Sequence, residues 1–447
     1  MTIVRKVLPS RFTPEILVPG RVFAGRGFAM SYAEAHRRAD KLMERFNVAF
    51  ADGNSGERLR PAEQRLTGYF LHPASSGKSQ VLLGGAGFLG SRIAASLLLG
   101  GPLDAGGNVV IVSRTPKTIR SQWATFLGDR EADRLMADPR LRLVSADLSS
   151  PDMAWMKSVP TCSVVYHLAA QVHAFASYER LSAVNINSAL AGLCLAQRDD
   201  ALLQHAGTLS VFVSSNCRRE AIEASLPRDE ESWLYGGYAQ TKAVAEIAIE
   251  RIAAEIKLRW QIVRFGLLVP EPAAPFPADS FFRSILSGLE AVGCVPDAIE
   301  EAFVDLTPVS SAAGAAVRLA GAGMADPRTL GIFHWANPQS AALSEFIAAV
   351  DEGRERVNLG PLKSVCTPLW EGALSTLPRL QRLLLLSSFA KSDFILQEAI
   401  KSPVLNADLF QSTGRSWPSV KALSYGIAPI LPPSSLLPDI ISSARIK

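Results

Sequence analysis

Short apolar runs rich in β-branched residues alternate with longer stretches of helical periodicity between residues 78 and 270. Val81–Leu83, Asn108–Val112, Leu141–Ser145, Ser163–His167, Leu209–Val213 and Gln261–Arg264 have the length and composition of buried strands. Ser91–Leu99 and Ala239–Ile256 repeat apolar residues at helical spacing. Alternation of this kind predicts a parallel sheet with helices on both faces. Residues 1–75 hold one helical pattern: Ser31 and Glu34 have capping-box spacing, and Tyr32, Ala35, Ala39, Leu42, Met43 and Phe46 share a face. Beyond the breaker PEPAAPFPADS, the spacing predicts helices over Ser280–Val292, Ala341–Val350 and Leu377–Ser387 and a strand over Ile332–Ala336. The expected architecture is α/β. A Rossmann-type doubly wound parallel sheet occupies 76–270, a smaller, mostly helical C-terminal domain 271–447, and a basic extension 1–75.

Composition narrows the function classes. The chain has 447 residues, 48% hydrophobic and 20% charged, enough for a large core without covalent staples. Its five cysteines are scattered and none forms a CxxC pair, which argues against a disulfide scaffold and against a zinc site of the usual spacing. No run of about 18 uncharged apolar residues predicts a membrane span. The opening MTIVRKVLPSRF has no apolar core, so no secretory leader is expected and the expected location is cytoplasmic. The net charge of +4 is too small to imply nucleic acid. It is uneven, however: residues 1–75 carry 12 basic and 7 acidic side chains, a balance of +5.

The strongest local signal is VLLGGAGFLGSRIAASLLL, where an apolar strand runs into Gly84, Gly87 and Gly90 and then into a helix. Gly84 permits a tight turn, Gly87 lets backbone approach a pyrophosphate, and Gly90 lets helix and strand pack closely. Phe88 and Leu89 open the helix whose amides and dipole would hold phosphate. The competing reading is a packing turn without ligand; a strand before and a helix after favour the dinucleotide site. After the second strand, enzymes using NAD place an acid for the ribose hydroxyl. Here Arg114 occupies that position, with Lys117 and Arg120 nearby, and a cation suits a 2′-phosphate. The expected cofactor is therefore NADPH. Asp147, followed by Leu148, is placed for the adenine, and Ala169 and Ala170 for close passage of the nicotinamide ribose.

Tyr238 and Lys242 lie four residues apart in YAQTK, on one face of a predicted helix. A neighbouring ammonium lowers a phenol's pKa, and the phenol can exchange a proton with a carbonyl oxygen during hydride transfer. Ser214 and Ser215, in VFVSSN, could polarise the same oxygen.

Taken together, Gly84/Gly87/Gly90, Asp147, HLAA, the serine pair and Tyr238/Lys242 resemble the extended short-chain dehydrogenase/reductase superfamily; aligning the motifs selects Ser215 of the two serines. The segments DSFFRSILSGLEAVGCVPD, VDLTPVSSAAGAAVRLA and GIFHWANPQSAALSEFIAAV are similar to its thioester reductase branch, found as terminal domains of nonribosomal peptide and polyketide synthases and in carboxylic acid reductases. The resemblance implies NADPH-dependent reductive release of an acyl or peptidyl thioester as an aldehyde, or onward to an alcohol. Tyr238 and Ser215 would stabilise the oxyanion, Lys242 would orient the ribose, and Gly266 in VRFG would line the cofactor cleft. It also implies a phosphopantetheinylated carrier protein as partner. Such carriers are generally acidic, and the basic balance of 1–75, Arg37 and Arg38 included, offers a complementary surface or simply a solvated helix face. The alternatives are an extended reductase or epimerase acting on a carrier-free small molecule or nucleotide sugar, and a non-catalytic NADP-binding regulator; the intact Tyr238/Lys242 pair argues against the latter.

Overall fold

The computed structural model describes residues 29–51, 78–100 and 107–385, with breaks at 151, 174–175, 214–222, 272–279, 298–302, 328–329, 338–340, 357, 379–380 and 383–384. In chain order the first elements are β1 (Ala29–Ser31), α1 (Tyr32–Ala51), β2 (Ser79–Leu83), α2 (Phe88–Leu99), β3 (Val109–Ser113), α3 (Ile119–Leu127), α4 (Asp129–Met136), β4 (Leu141–Ser145) and β5 (Cys162–His167). They are followed by α5 (Tyr178–Asp199), β6 (Leu202–Thr208), α6 (Ser210–Val213), β7 (Trp233–Tyr235), α7 (Gly237–Glu255), β8 (Trp260–Phe265) and β9 (Leu268–Val269). The last are α8 (Phe281–Val292), β10 (Cys294–Pro296), β11 (Phe303–Val304), β12 (Thr307–Pro308), α9 (Val309–Ala325), β13 (Gly331–Trp335), β14 (Ala341–Ala342), α10 (Leu343–Glu355), β15 (Lys363–Val365) and α11 (Thr367–Leu374).

Seven strands form one parallel sheet in the order β13-β8-β6-β5-β2-β3-β4. The order reverses between β2 and β5, and in open α/β sheets ligands bind outside the carboxyl ends of the strands at that reversal. Helices α5 and α7 cover one face, with α1 packed against α7; α2, α3, α4 and α9 cover the other. The doubly wound expectation therefore holds. The sheet also reaches past residue 270, because β13 pairs with β8 and α9 packs on α2. The rest of the C-terminal segment gathers around a separate core of Leu286, Leu289, Val350, Trp370 and Leu374, helped by the parallel pairs β9–β12 and β10–β15.

One strand departs from expectation. The fifth strand is Leu202–Thr208, and the apolar run Leu209–Val213 turns away into the short α6. The pattern LLQHAGT conceals a central strand because its polar residues are paired inside. Gln204 Nε2 donates to Gln261 Oε1 at 2.8 Å and to the Ala316 carbonyl at 2.9 Å. His205 Nδ1 lies 2.6 Å from His167 Nδ1. Buried polar groups matched in this way no longer oppose burial. The helix expected over Leu377–Ser387 lies largely outside the described residues.

Part of the N-terminal extension belongs to this fold. β1 pairs antiparallel with β7, and the Ser31 hydroxyl accepts from the Glu34 amide at 3.1 Å, as the cap spacing predicts. Tyr32, Ala35 and Ala39 are fully buried in the core shared with α7. The Tyr32 hydroxyl donates to the Val211 carbonyl at 2.5 Å, three residues after Thr208 in sequence. Arg251 of α7 reaches the His36 carbonyl and Asp40. Tyr32→Phe removes this donor from a buried carbonyl, so we expect a loss of about 1–2 kcal/mol and a Tm lower by a few degrees in calorimetry. An unchanged Tm would show that this hydroxyl does not hold α1 to the sheet.

Candidate active site

The glycine turn has the geometry its spacing demands. Gly84 has φ +94°, and a methyl group there would come within 2.6 Å of the Ala169 amide nitrogen. A methyl group at Gly90 would lie 2.5 Å from the Gly84 carbonyl oxygen, so the start of α2 can sit against the turn only as glycine. Gly87 differs: it is exposed, and a methyl group there would meet only the Gly84 oxygen at 3.5 Å. Gly87 caps α2 with no side-chain hydrogen bond, which leaves the amides of Phe88, Leu89 and Gly90 without a cap. Open space before an uncapped, twelve-residue helix fits a pyrophosphate. Trp123, fully buried, donates its indole N–H to the Gly85 carbonyl at 3.0 Å; its role was not legible in the sequence.

On the far side of the reversal, Arg114 is exposed at the end of β3 and has no ion pair among the described residues. Arg120 is engaged: its guanidinium grips Asp133 at 2.9 and 3.1 Å and Asp129 at 2.8 Å. Asp147 is exposed and receives the Ser149 hydroxyl at 2.7 Å and amide at 3.0 Å, which hold its carboxyl below the usual range; Arg114 adds to the effect. Leu148 is buried beside it. Ala169 and Ala170 follow β5, with the Ala169 carbonyl accepting from Ser188 Oγ at 3.2 Å. Gly266 faces inward: a methyl group there would overlap the carboxylate of Asp305, which accepts from the Leu267 amide at 3.1 Å and from Thr307 Oγ1 at 2.7 Å.

Tyr238 and Lys242 stand one turn apart on α7, above the carboxyl end of β6. Ser215 lies outside the described residues. The hydroxyl found against the Tyr238 phenol is that of Thr208, the last residue of β6; Thr208 in turn shares a hydrogen bond of 2.9 Å with Ser210 Oγ. Assigning β6 as Leu202–Thr208 instead of Leu209–Val213 would have revealed it. Asn185 is a second residue not foreseen: its side chain bonds Thr241 Oγ1 at 2.9 Å and both backbone groups of Gln171, tying the segment after Ala170 to α7.

The electrostatics correct one expectation. Tyr238 is not acidified by Lys242. Burial raises its pKa to about 12, Thr208 opposes this and Glu246 adds to it, so the phenol is neutral. Lys242 is 3% exposed and donates to the Ala206 carbonyl at 2.5 Å; burial lowers its pKa to about 8, against the pull of Glu246. Glu246 pairs with Arg264 at 2.9 Å, both fully enclosed. Burial and the Lys242 charge hold His167 and His205 neutral. His167 Nε2 meets Ser188 Oγ at 2.9 Å, while His205 Nε2 has no partner among the described residues. Among the described residues no group of acidic, histidine or cysteine side chains could hold a metal ion.

The family model described as male sterility protein, an NAD-binding family, matches residues 82–316. The chain is similar to the terminal R domain from the myxalamid PKS-NRPS pathway, with a TM-score of 0.62 and 22% identity over 80% of this chain and 90% of that one. It is likewise similar to the thiolation-reductase di-domain of an archaeal nonribosomal peptide synthetase, at 0.64 and 16% over 90% and 87%. Among curated proteins it is 28% identical over 247 residues to the hybrid PKS-NRPS synthetase prlS of Fungal sp., which covers 52% of this chain but 6% of that one. It is 27% identical over 261 residues to D-erythronate dehydrogenase of Cupriavidus necator, covering 56% of this chain and 76% of that one.

Lys242 yields a prediction with a definite sign. Its pKa falls from 10.5 unfolded to about 8 folded, so between those values the unfolded chain binds more protons and stability rises with pH. Below about pH 8 the full penalty of the buried ammonium is present. Lys242→Met should therefore be more stable than the parent at pH 7, by up to about 3 kcal/mol. Its denaturation midpoint should change less between pH 8 and 10. Parallel pH slopes for the two proteins would mean that Lys242 titrates like a solvated lysine.

Proposed function

The chain belongs to the male sterility family of NAD-binding proteins, and from that premise we propose that it is an NADPH-dependent thioester reductase that releases a carrier-bound acyl or peptidyl group as an aldehyde. The observation that carries this reading is the Thr208–Tyr238 contact with the buried Lys242 one turn away, beside a turn whose open space suits a pyrophosphate. The reduced nicotinamide would supply a hydride when bound. The turn Gly84–Gly90 would hold the pyrophosphate, with Phe88 and Leu89 giving helix amides, Asp147 and Leu148 meeting the adenine, and Ala169 and Ala170 the ribose. Lys242 would bind that ribose on its other side. Arg114, without an ion pair among the described residues, would meet a 2′-phosphate, whereas Arg120 would have to leave two carboxylates.

Negative charge gathers on the thioester oxygen as its carbonyl is reduced. Tyr238 meets it as a neutral donor, since its proton is retained up to about pH 12. Thr208, whose hydrogen bond lowers the phenol's pKa, would donate to the phenolic oxygen and so leave the Tyr238 proton for the substrate. The positively charged Lys242 lies behind both and favours the anionic form. Departure of the carrier thiol then leaves the aldehyde. We place Thr208 in the role that motif alignment gave to Ser215.

NADPH oxidation in the presence of an acyl-phosphopantetheine thioester tests the reading. Tyr238→Phe should lower kcat about 100-fold or more, and Thr208→Val should cost more than Ser215→Ala. A thioester that leaves oxidation unchanged, with turnover of a small hydroxy acid instead, would favour a carrier-free reductase. The match to D-erythronate dehydrogenase over 76% of its length supports that second reading. Arg114→Glu should raise the KM for NADPH about 10-fold and leave that for NADH nearly unchanged, since the lost pair is the charged one. Equal effects on both cofactors would remove Arg114 from the 2′-phosphate site.

A further inference from the structure

The Trp123 indole sits beneath the glycine turn, fully buried, with its N–H 3.0 Å from the Gly85 carbonyl oxygen. Peptides are planar and trans, and the described chain holds no cis bond. A Gly85 carbonyl turned down to Trp123 therefore sends the Ala86 amide N–H the opposite way, out of the turn. That amide donates to no backbone acceptor among the described residues, while the next one, Gly87 N–H, is used by the Gly84 carbonyl at 3.1 Å. The outward N–H thus stands ahead of the uncapped amides of α2, in the same open space beside Gly87. Gly85 itself is fixed from the sheet side, where a methyl group would meet Ile111 Cδ1 at 2.7 Å.

Helix α3, which carries Trp123, is bound to α2 at two further points. Arg92 Nη2 donates to the Phe126 carbonyl at 2.9 Å, and the Phe88 and Phe126 rings meet edge to face with centroids 5.6 Å apart. Turn, helix start and α3 are therefore joined at three contacts.

We propose that Trp123 is a positioning residue of the cofactor site: it sets the Gly85–Ala86 peptide so that the Ala86 amide adds a donor to the pyrophosphate cradle. The proposal rests on the cofactor reading above, and its test separates the two. Calorimetric titration with NADP⁺ and with NAD⁺ is made on the parent chain, on Trp123→Phe, and on a chain with benzothienylalanine in place of Trp123. The last retains the bicyclic shape, lacks the N–H, and guards against a Phe variant that fails to fold. Leu135→Val, in the same buried core, controls for packing loss. Both N–H deletions should weaken NADP⁺ and NAD⁺ by the same factor, about 5- to 10-fold, the size of one net hydrogen bond. At saturating cofactor kcat should hold, and Leu135→Val should lower Tm without changing either Kd. Unchanged affinity in the benzothienyl protein would overturn the proposal alone, as would a loss confined to NADP⁺, which would place the effect at the 2′-phosphate. No nucleotide binding by the parent chain would overturn the cofactor reading and this proposal with it.

Discussion

A fully enclosed guanidinium organises the reactive end of the sheet. Arg264, at 0% exposure on β8, donates to Glu246 of α7 at 2.9 Å and to the Ala224 carbonyl at 3.0 Å, meets His334 of β13 at 3.2 Å, and covers the Phe212 ring of α6 at 5.0 Å. Four chain segments converge on one charge. Breaking a buried pair by removing one partner leaves an uncompensated ion, which is far costlier than losing an exposed bridge. Glycine at 207 is part of the same arrangement, because a methyl group there would lie 2.6 Å from Glu246 Oε1. The helix bearing Tyr238 and Lys242 is thus registered to the sheet by charge as well as by packing. Counting Lys242, Arg264 and Glu246 as ionised and His167, His205 and His334 as neutral, this cluster carries one excess positive charge. On the reading proposed above, an oxygen that becomes negative beside Tyr238 would balance it where a ground-state carbonyl would not, the kind of differential stabilisation that catalysis requires.

The glycine turn and the Tyr/Lys pair were legible because each is a local pattern: strand, glycines at fixed spacing and helix in one case, one helical turn in the other. What escaped the sequence was set by partners distant along the chain. Thr208 follows LLQHAG, whose Gln204 and His205 look unsuited to a central strand until Gln261 and His167 are known to face them. The neighbouring Leu209–Val213 is the more apolar run, and it is helical and connecting. Trp123 bonds Gly85 across 38 residues and Tyr32 bonds Val211 across 179, so neither leaves a periodic trace. The Tyr238 pKa went astray for a related reason. Spacing showed the lysine but not the burial, which raises the phenol's pKa, nor Glu246, which raises it further.

The boundary at 270 also shows how composition can mislead. The Pro-rich break after β9 separates two lobes by sequence, yet the chain returns through α9 and β13 to finish the first sheet. Asp305 sits at that return. Its carboxylate takes hydrogen bonds from Leu267 on one side and from Thr307 and the Asn337 amide on the other, and Gly266 leaves room for it. The residue expected to line the cofactor cleft is therefore also the point at which the second lobe is fastened to the first.

The basic extension illustrates the distance between a charge balance and a charged surface. Arg37 is bound by Glu34 at 2.9 Å and Glu230 at 2.6 Å. Arg38 is bound by Glu34 at 2.9 Å and lies 4.3 Å from the Tyr178 ring centroid. These contacts border a cavity of about 270 Å³ that Trp233 and Gln240 also line. A pair of cations so matched presents little net field to an acidic partner, since surface pairs screen one another over a few ångströms. What the two arginines do instead is join α1 to Glu230 and Tyr178, the segments on either side of the Gly236–Gly237 turn that starts α7. Gly237 donates its amide to the Ala176 carbonyl at 3.0 Å, and a side chain there would strike the Ser177 backbone. Tyr238 is the next residue. The N-terminal helix is consequently part of the scaffold that aims the phenol.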